Sequence, residues 1–442
     1  MAPACADVGR RVSWLSVADR FPSVGVLSTR RMSSRSLIGT ALFLLAACGR
    51  DSTAPCRGTV QAQLAPAETT LAVGTSFVAS VSLSACGGSQ SVSDVVTWRS
   101  EDIAVAVVDA DGQVTGKSGG ATRILATGQR YGALGRLDLL VYNPVNPTDA
   151  EARAELRYYI ERVTQAAARQ YRTYDDVGHT MDGLKIIANP NAGGFIGVYQ
   201  TYREGTFDAH LATSADLLHW TWRAVLDQSA AQPAIKAADA GFVVVTETDG
   251  DNHLRFYYYD SWQALLNASP SKTYDAPRTL SSCAEGTPNI YAGDSTRVEV
   301  GFHYWSQCDV GRQARGVTDW SSWSAAPEPA LDNAIVAYGM AGVGDRDGPL
   351  TFRGYQFAVI EGEGVRNQWN SWRVFLYDYQ TQTADLLNIR TDAGSISFGN
   401  PTIEHVQIGG RQALVMTLFV FLDGSLANEN GSLVYYRTLP RA

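Results

Sequence analysis

Lysine is scarce in this sequence: Lys117, Lys185, Lys236 and Lys272 are the only four among 442 residues. No stretch gathers basic side chains, and the net charge is −8, so a nucleic-acid partner is not expected. No apolar run reaches the roughly 18–20 residues that cross a bilayer. The six cysteines show neither Cys-x-x-Cys nor Cys/His spacing, which leaves a zinc centre without ligands. A Gly-x-Ser-x-Gly elbow and a His-Glu-x-x-His helix are both missing, which removes the serine hydrolase and zinc protease readings. What is plentiful is tyrosine, phenylalanine and tryptophan, at 20, 14 and 10 residues, a composition suited to β structure. The length allows two or three domains.

The stretch Cys283-Ala284-Glu285-Gly286-Thr287-Pro288-Asn289-Ile290 pairs an acid with a Pro-x-Ile phrase that recurs. Gln232-Pro233-Ala234-Ile235 precedes it and Asn400-Pro401-Thr402-Ile403 follows. Pro233 and Pro288 lie 55 residues apart, and Pro288 and Pro401 lie 113 apart, about twice as far. A unit without the phrase therefore starts near Asp345, in Gly344-Asp345-Arg346-Asp347-Gly348, and one step back from Pro233 falls near Asp182. Five phases of 50 to 60 residues, each with several apolar runs between turn residues, predict a repeat architecture. With four strands per unit this is an all-β, five-bladed β-propeller whose blades start near 180, 232, 286, 344 and 399.

Residues 1–31 carry no structural pattern, and Met32 is an alternative translation start. Arg35, an apolar run over 37–47 and Leu45-Ala46-Ala47-Cys48-Gly49 follow the pattern of a secretory signal and resemble a bacterial lipobox. That resemblance implies export, with 1–48 as upstream segment and lipoprotein signal cleaved just ahead of the cysteine, lipidation of Cys48 as the mature N-terminus and anchoring at the outer membrane or cell surface. Four cysteines then remain as two local pairs, Cys56 with Cys86 and Cys283 with Cys308, and an oxidising compartment predicts a disulfide in each.

Residues 57–142 alternate apolar and polar. Trp98-Arg99-Ser100, Val105-Ala106-Val107-Val108 and Gly112-Gln113-Val114-Thr115-Gly116 resemble the bacterial Ig-like group 2 domain, which implies a β-sandwich acting as spacer or adhesive module. Over 143–172 a Pro-rich linker leads to a helix. Thr148 or Asp149 is its cap, and Leu156, Ile160, Val163, Ala167 and Tyr171 form one apolar face. The propeller is expected over 173–442. Within it Ala212-Thr213-Ser214-Ala215-Asp216-Leu217-Leu218-His219-Trp220 resembles a phrase frequent in the five-bladed propeller glycosidases of families 43, 62, 32 and 68 and the related family 130 phosphorylases.

The first strand of a blade lines the propeller axis, so Asp182, Gln232, Glu285, Asp345 with Asp347, and Asn400 are expected around one funnel. Glycoside hydrolysis needs two carboxyl groups, one to protonate the leaving oxygen and one as base or nucleophile. Crowded carboxylates raise one another's pKa and keep an acid protonated near neutrality. The resemblance implies Asp182 as base or nucleophile and Glu285 as acid. Those families carry an aspartate in blade two where Gln232 stands here, and Asp345 or Asp347 of blade four is the candidate replacement. His179, Asn289, His303, Tyr304, Arg346, Gln232 and Asn400 are candidate hydroxyl or stacking contacts for a sugar. Turn formation is the competing role for Met181-Asp182-Gly183 and Asp345-Arg346-Asp347-Gly348. No cofactor is expected. A central metal ion occurs in some of these families, but no ligand set is legible. The expectation is a monomeric, surface-anchored glycoside hydrolase. The rival is a carbohydrate-binding propeller without catalysis, and a phosphorylase using Arg312, Arg315 and Arg346 ranks below both.

Overall fold

The computed structural model describes residues 59–239, 241–426 and 428–440. Cys48, Cys56 and the expected signal lie outside them.

The N-terminal unit is a β-sandwich. One sheet carries Gln61–Ala65, Ser80–Ala85 and Gln90–Ser91, and another carries Glu68–Ala72, Leu134–Tyr142, Gly120–Gly128 and Val96–Ser100. A third, small sheet joins Ser76–Val78, Gln113–Gly116 and Ala106–Val108. The alternation read in the sequence faces Leu64, Val114, Ile124, Leu137 and Leu139 into one core, with Trp98 packed at its side. Cys86 is disulfide-bonded.

The helix Asp149–Glu161 is capped by Thr148, whose hydroxyl accepts from the Glu151 amide while the Glu151 carboxylate accepts from the Thr148 amide. This capping box satisfies two amides that the first turn leaves free. Leu156, Ile160 and Val163 are buried in a cluster that also contains Leu140 of the sandwich and Phe352, Phe357, Leu414 and Leu433 of the propeller. Tyr158 donates to Glu68, and Arg353 pairs with Glu155. The helix is thus a wedge shared by both units. It ends ten residues before Tyr171, and Ala167 and Tyr171 do not belong to its face.

Beyond it stand five four-stranded antiparallel sheets whose innermost strands are Asp182–Ala188, Ala230–Ala238, Glu285–Gly293, Gly342–Phe352 and Phe398–Ile408. These are blades one to five. Blade five takes its outermost strand from Ala168–Gln170, which pairs with Gly431–Thr438. The propeller therefore recruits residues expected in the linker, because a strand from one end of the chain laid against the other end closes the ring and covers an edge. Trp220 lies in the apolar cluster between blades one and five, with Leu184, Val406 and Val415.

Cys283 and Cys308 form a disulfide with Cα atoms 5.5 Å apart, 25 residues apart in sequence. Opening a loop of that size relaxes the unfolded chain, so replacing both by Ser should lower stability by about 3 kcal/mol. The check is the denaturant midpoint of the double variant against the oxidised parent.

Candidate active site

The Pro-x-Ile phrase is a bulge. In each inner strand the register with the second strand slips near its start: between Asp182 and Lys185, Ala231 and Ala234, Gly286 and Asn289, Val343 and Arg346, and Gly399 and Thr402; blades three and four slip a second time, between Ile290 and Ala292 and between Asp347 and Leu350. The residue opening the bulge has positive φ at Gly183 (60°), Gln232 (48°), Thr287 (47°) and Asn400 (44°). In blades two, three and five a proline follows it, Pro233, Pro288 and Pro401. A left-handed residue that frees its amide from the ladder needs another acceptor. The preceding blade supplies it. The Gln232 amide donates to Gln200 (2.7 Å), the Thr287 amide to Glu247 (2.9 Å) and the Asn400 amide to Glu361 (2.5 Å). A repeat visible in sequence as proline spacing is therefore a set of interblade ties.

At the mouth of the axis three blades meet. A side chain at Gly183 would stand 3.0 Å from Gln232 Oε1 and 3.2 Å from Asn400 Nδ2. Asp182 is next to Gly183 and half-buried. Burial pushes its carboxyl up to about 7, with the hydroxyls of Thr180 and Ser432 pulling partway back. Below it, Lys185 is buried and donates to the Pro288 carbonyl (2.8 Å), standing 3.5 Å from Asp345 Oδ1. Burial raises Asp345 and the Lys185 ammonium opposes it. Asp347 accepts from the Ile403 amide (2.9 Å) and is likewise raised by burial, against Lys185 and Lys236. Asn289 donates across to the Gly348 carbonyl. Lower still, Glu404 is pushed up to about 7, first by burial and then by Asp347. Asp182, Gln232, Asn289, Asp345, Asp347 and Asn400 thus gather along the axis.

Five expected site residues lie elsewhere. Bulge alignment sets Asp182 level with Gly286, so Glu285 is one residue out of phase, and a one-residue slip in a strand reverses the face. Its carboxylate Oε1 accepts from the amides of Thr279 (2.6 Å), Leu280 (2.5 Å) and Ser281 (3.0 Å), fastening the loop that enters blade three. Arg346 is 1% exposed and donates to the Ala314 carbonyl and Glu328 between blades three and four. His303 is buried against the Thr287 hydroxyl, and burial lowers its imidazole to about 4. Tyr304 packs into the apolar cluster between blades two and three. His179 stays half-exposed on blade one, its Nδ1 held 2.8 Å from buried Asp175, with the His210 ring at 4.7 Å.

Glu247 and Glu361 escaped the sequence reading because they lie on second strands. Both are buried with raised pKa, Glu361 through burial and then Asp345. Each has both oxygens engaged. Glu247 accepts from Asn252 and the Thr287 amide, and Glu361 from the amides of Asp345 and Asn400. The signal available was a glycine in the strand alongside: a Cβ at Gly286 would strike Glu247, and one at Gly344 or Gly399 would strike Glu361. Trp369 stacks on buried Trp372 at 5.9 Å and meets Phe421 at a tilt, ring centres 5.1 Å apart. Phe421 lies against Gly399, which puts this aromatic group beside the mouth. Among the described residues no three His, Cys, Asp or Glu side chains are arranged to hold a metal ion.

Residues 60–134 match the family of bacterial Ig-like domains (group 2). No curated protein matches the chain. Among solved structures, a thermostable family-43 glycoside hydrolase is similar at 12% identity and a TM-score of 0.41, covering 62% of this chain and 94% of its own. A β-fructofuranosidase of family 32 from Bombyx mori is similar at 12% identity and 0.38, covering 66% and 67%. The catalytic domain of a family 62 α-L-arabinofuranosidase from Coprinopsis cinerea is similar at 11% identity and 0.36, covering 61% and 93%.

Proposed function

We propose that the propeller is a glycoside hydrolase working at the axial mouth, with Asp182 as proton donor and blade four supplying the second carboxyl. The observation that carries this reading is Asp182 itself. It is half-buried, beside the convergence of Gly183, Gln232 and Asn400, and holds its proton to about 7. A carboxylic acid protonated near neutrality at an opening is what cleavage of a glycosidic bond requires. Asp345 and Asp347 are faced by Lys185, which favours their ionised forms; an ionised carboxylate activates water or attacks carbon. Gln232 and Asn400 are placed to bind sugar hydroxyls, and the Trp369 and Phe421 rings to meet a sugar face. With Glu285 turned to its loop, the acid role implied by family resemblance passes to Asp182.

The test is hydrolysis of plant, fungal and bacterial glycans by the purified protein and by Asp182→Asn, Asp345→Asn and Asp347→Asn. The blade-four variant that loses turnover identifies the second carboxyl. Carbohydrate binding without catalysis is the second reading, favoured by one observation. Glu247, Glu285 and Glu361 all spend carboxylate oxygens on backbone or amide donors, leaving few acids free to react. Glycan binding by the parent with no hydrolysis would establish it.

The protein is further proposed to be a monomeric lipoprotein anchored through Cys48 at the outer membrane or cell surface, the sandwich and helix holding the propeller away from the lipid. Fatty-acid labelling should be abolished by Cys48→Ser; equal labelling of both forms would overturn the anchor.

A further inference from the structure

We propose that Lys185 is a positioning residue, the fixed cation of the propeller axis, which holds Asp345 ionised and seats blades one, three and four around one ammonium. The inner strands bring four carboxyl groups to the axis, Asp182, Asp345, Asp347 and Glu404, with Glu361 of a second strand next to Asp345, against two lysines, Lys185 and Lys236. A chain with four lysines in all has placed two of them here. Burying an ammonium is costly unless it is paired and hydrogen-bonded, and Lys185 meets both conditions. It reaches from blade one to the Pro288 carbonyl of blade three and to Asp345 Oδ1 of blade four.

Lys185 is the cation that faces Asp345. It is 1% exposed; its Oδ1 accepts from the Arg346 amide, and its Oδ2 has no partner. The other charges around it do not replace Lys185. Asp347 and Glu361 repel a second negative charge. The Arg346 guanidinium is turned away to Glu328. Lys236 interacts with Asp347 and Glu404 lower on the axis. Without Lys185, Asp345 would be a buried carboxyl among buried carboxyls, and it would keep its proton. The structural part of this inference is independent of the proposed activity; its catalytic consequence rests on the reading of the axis as the reacting site.

Thermal unfolding of the full chain between pH 5 and pH 8.5 tests it with Lys185→Met, Asp345→Asn and the double variant. A carboxyl whose folded pKa is raised favours the folded state only while it keeps its proton, and stability falls as pH rises toward that pKa. Losing the ammonium raises the folded pKa of Asp345 further. The Tm deficit of Lys185→Met should therefore be small near pH 5 and grow by roughly 5 °C toward pH 8.5. The double variant should recover most of the deficit at the alkaline end, since it lacks the carboxyl nearest the lost ammonium, and Asp347 and Glu361, on which Lys185 also acts, account for what is not recovered. A deficit equal at both ends, or a double variant no better than Lys185→Met, overturns the proposal. If Lys185→Met does not fold, a folded double variant supports the proposal and an unfolded one overturns it. If the parent cleaves a glycan, Lys185→Met should move the acidic limb of its pH–rate profile upward with KM little changed. If no glycan is cleaved, the hydrolase reading falls and the melting series still decides the role of Lys185.

Discussion

Asp182→Asn should lower kcat by on the order of 10³ on any glycan the parent cleaves, with KM changed little, because a general acid acts in the transition state rather than in ground-state binding. The side chain keeps its size and its reach toward the Thr180 hydroxyl, which stands 3.4 Å from the carboxylate. What it loses is a proton to give. In the parent, the acid form of Asp182 is depleted as pH rises through about 7, the value to which burial lifts it. Turnover should therefore fall on the alkaline side of neutrality, and that limb should be missing from whatever activity Asp182→Asn retains. Initial rates of both proteins from pH 5 to pH 9 give the answer. Full activity in the variant, or an unchanged alkaline limb, would remove Asp182 from the chemistry. The effect on stability runs in the opposite direction. A half-buried carboxyl with a raised pKa disfavours the folded state once ionised, so the neutral amide should be at least as stable as the parent at pH 8.

The fold was legible in the sequence for a reason that the structure makes physical. Pro233, Pro288 and Pro401 mark bulges whose amides are tied to the preceding blade, so a geometric repeat left a chemical mark at a fixed spacing. Blade four has no such proline, and its start was recovered only by halving the longer interval. The closing strand Ala168–Gln170 was illegible, since three residues with no alternation carry no strand signal and their pairing with Gly431–Thr438 is set by ring closure alone. The site was legible by element but not by face. Asp182, Gln232, Asp345, Asp347 and Asn400 gather on the axis because inner strands must line it. Glu285 and Arg346 stand on those same strands and leave, because a bulge changes which residues point inward and its exact position cannot be read from a period of 50 to 60 residues. Glu247 and Glu361 sit on second strands, where their spacing shows no relation to the proline phrase. Lys185 entered the sequence reading only as one of four lysines, although its place three residues after Asp182, across the bulge, sets it on the axis.

The out-of-phase position of Glu285 has a measurable outcome of its own. Its Oε1 holds three successive amides, those of Thr279, Leu280 and Ser281, and Ser281 in turn accepts from the Cys283 amide next to the disulfide. Hydrogen bonds to a charged acceptor contribute about 1.5–3 kcal/mol each when measured singly, and bonds sharing one oxygen do not add in full. Glu285→Ala should therefore lose about 3 kcal/mol, because it strands three amides at once, that of buried Ser281 among them. Glu285→Gln keeps a neutral acceptor and should lose about half of that. Denaturant titration reads both, and the Ala variant should shift the midpoint without changing the slope. Turnover per folded molecule should stay close to that of the parent for either variant, on substrates with good and with poor leaving groups alike. Combining Glu285→Ala with loss of the Cys283–Cys308 disulfide should cost less than the two separate losses added together, since both restrain the segment entering blade three. The opposite pattern, a Glu285→Gln protein as stable as the parent but unable to cleave substrates with poor leaving groups, would return the proton donor to Glu285 and show that this loop opens when substrate binds.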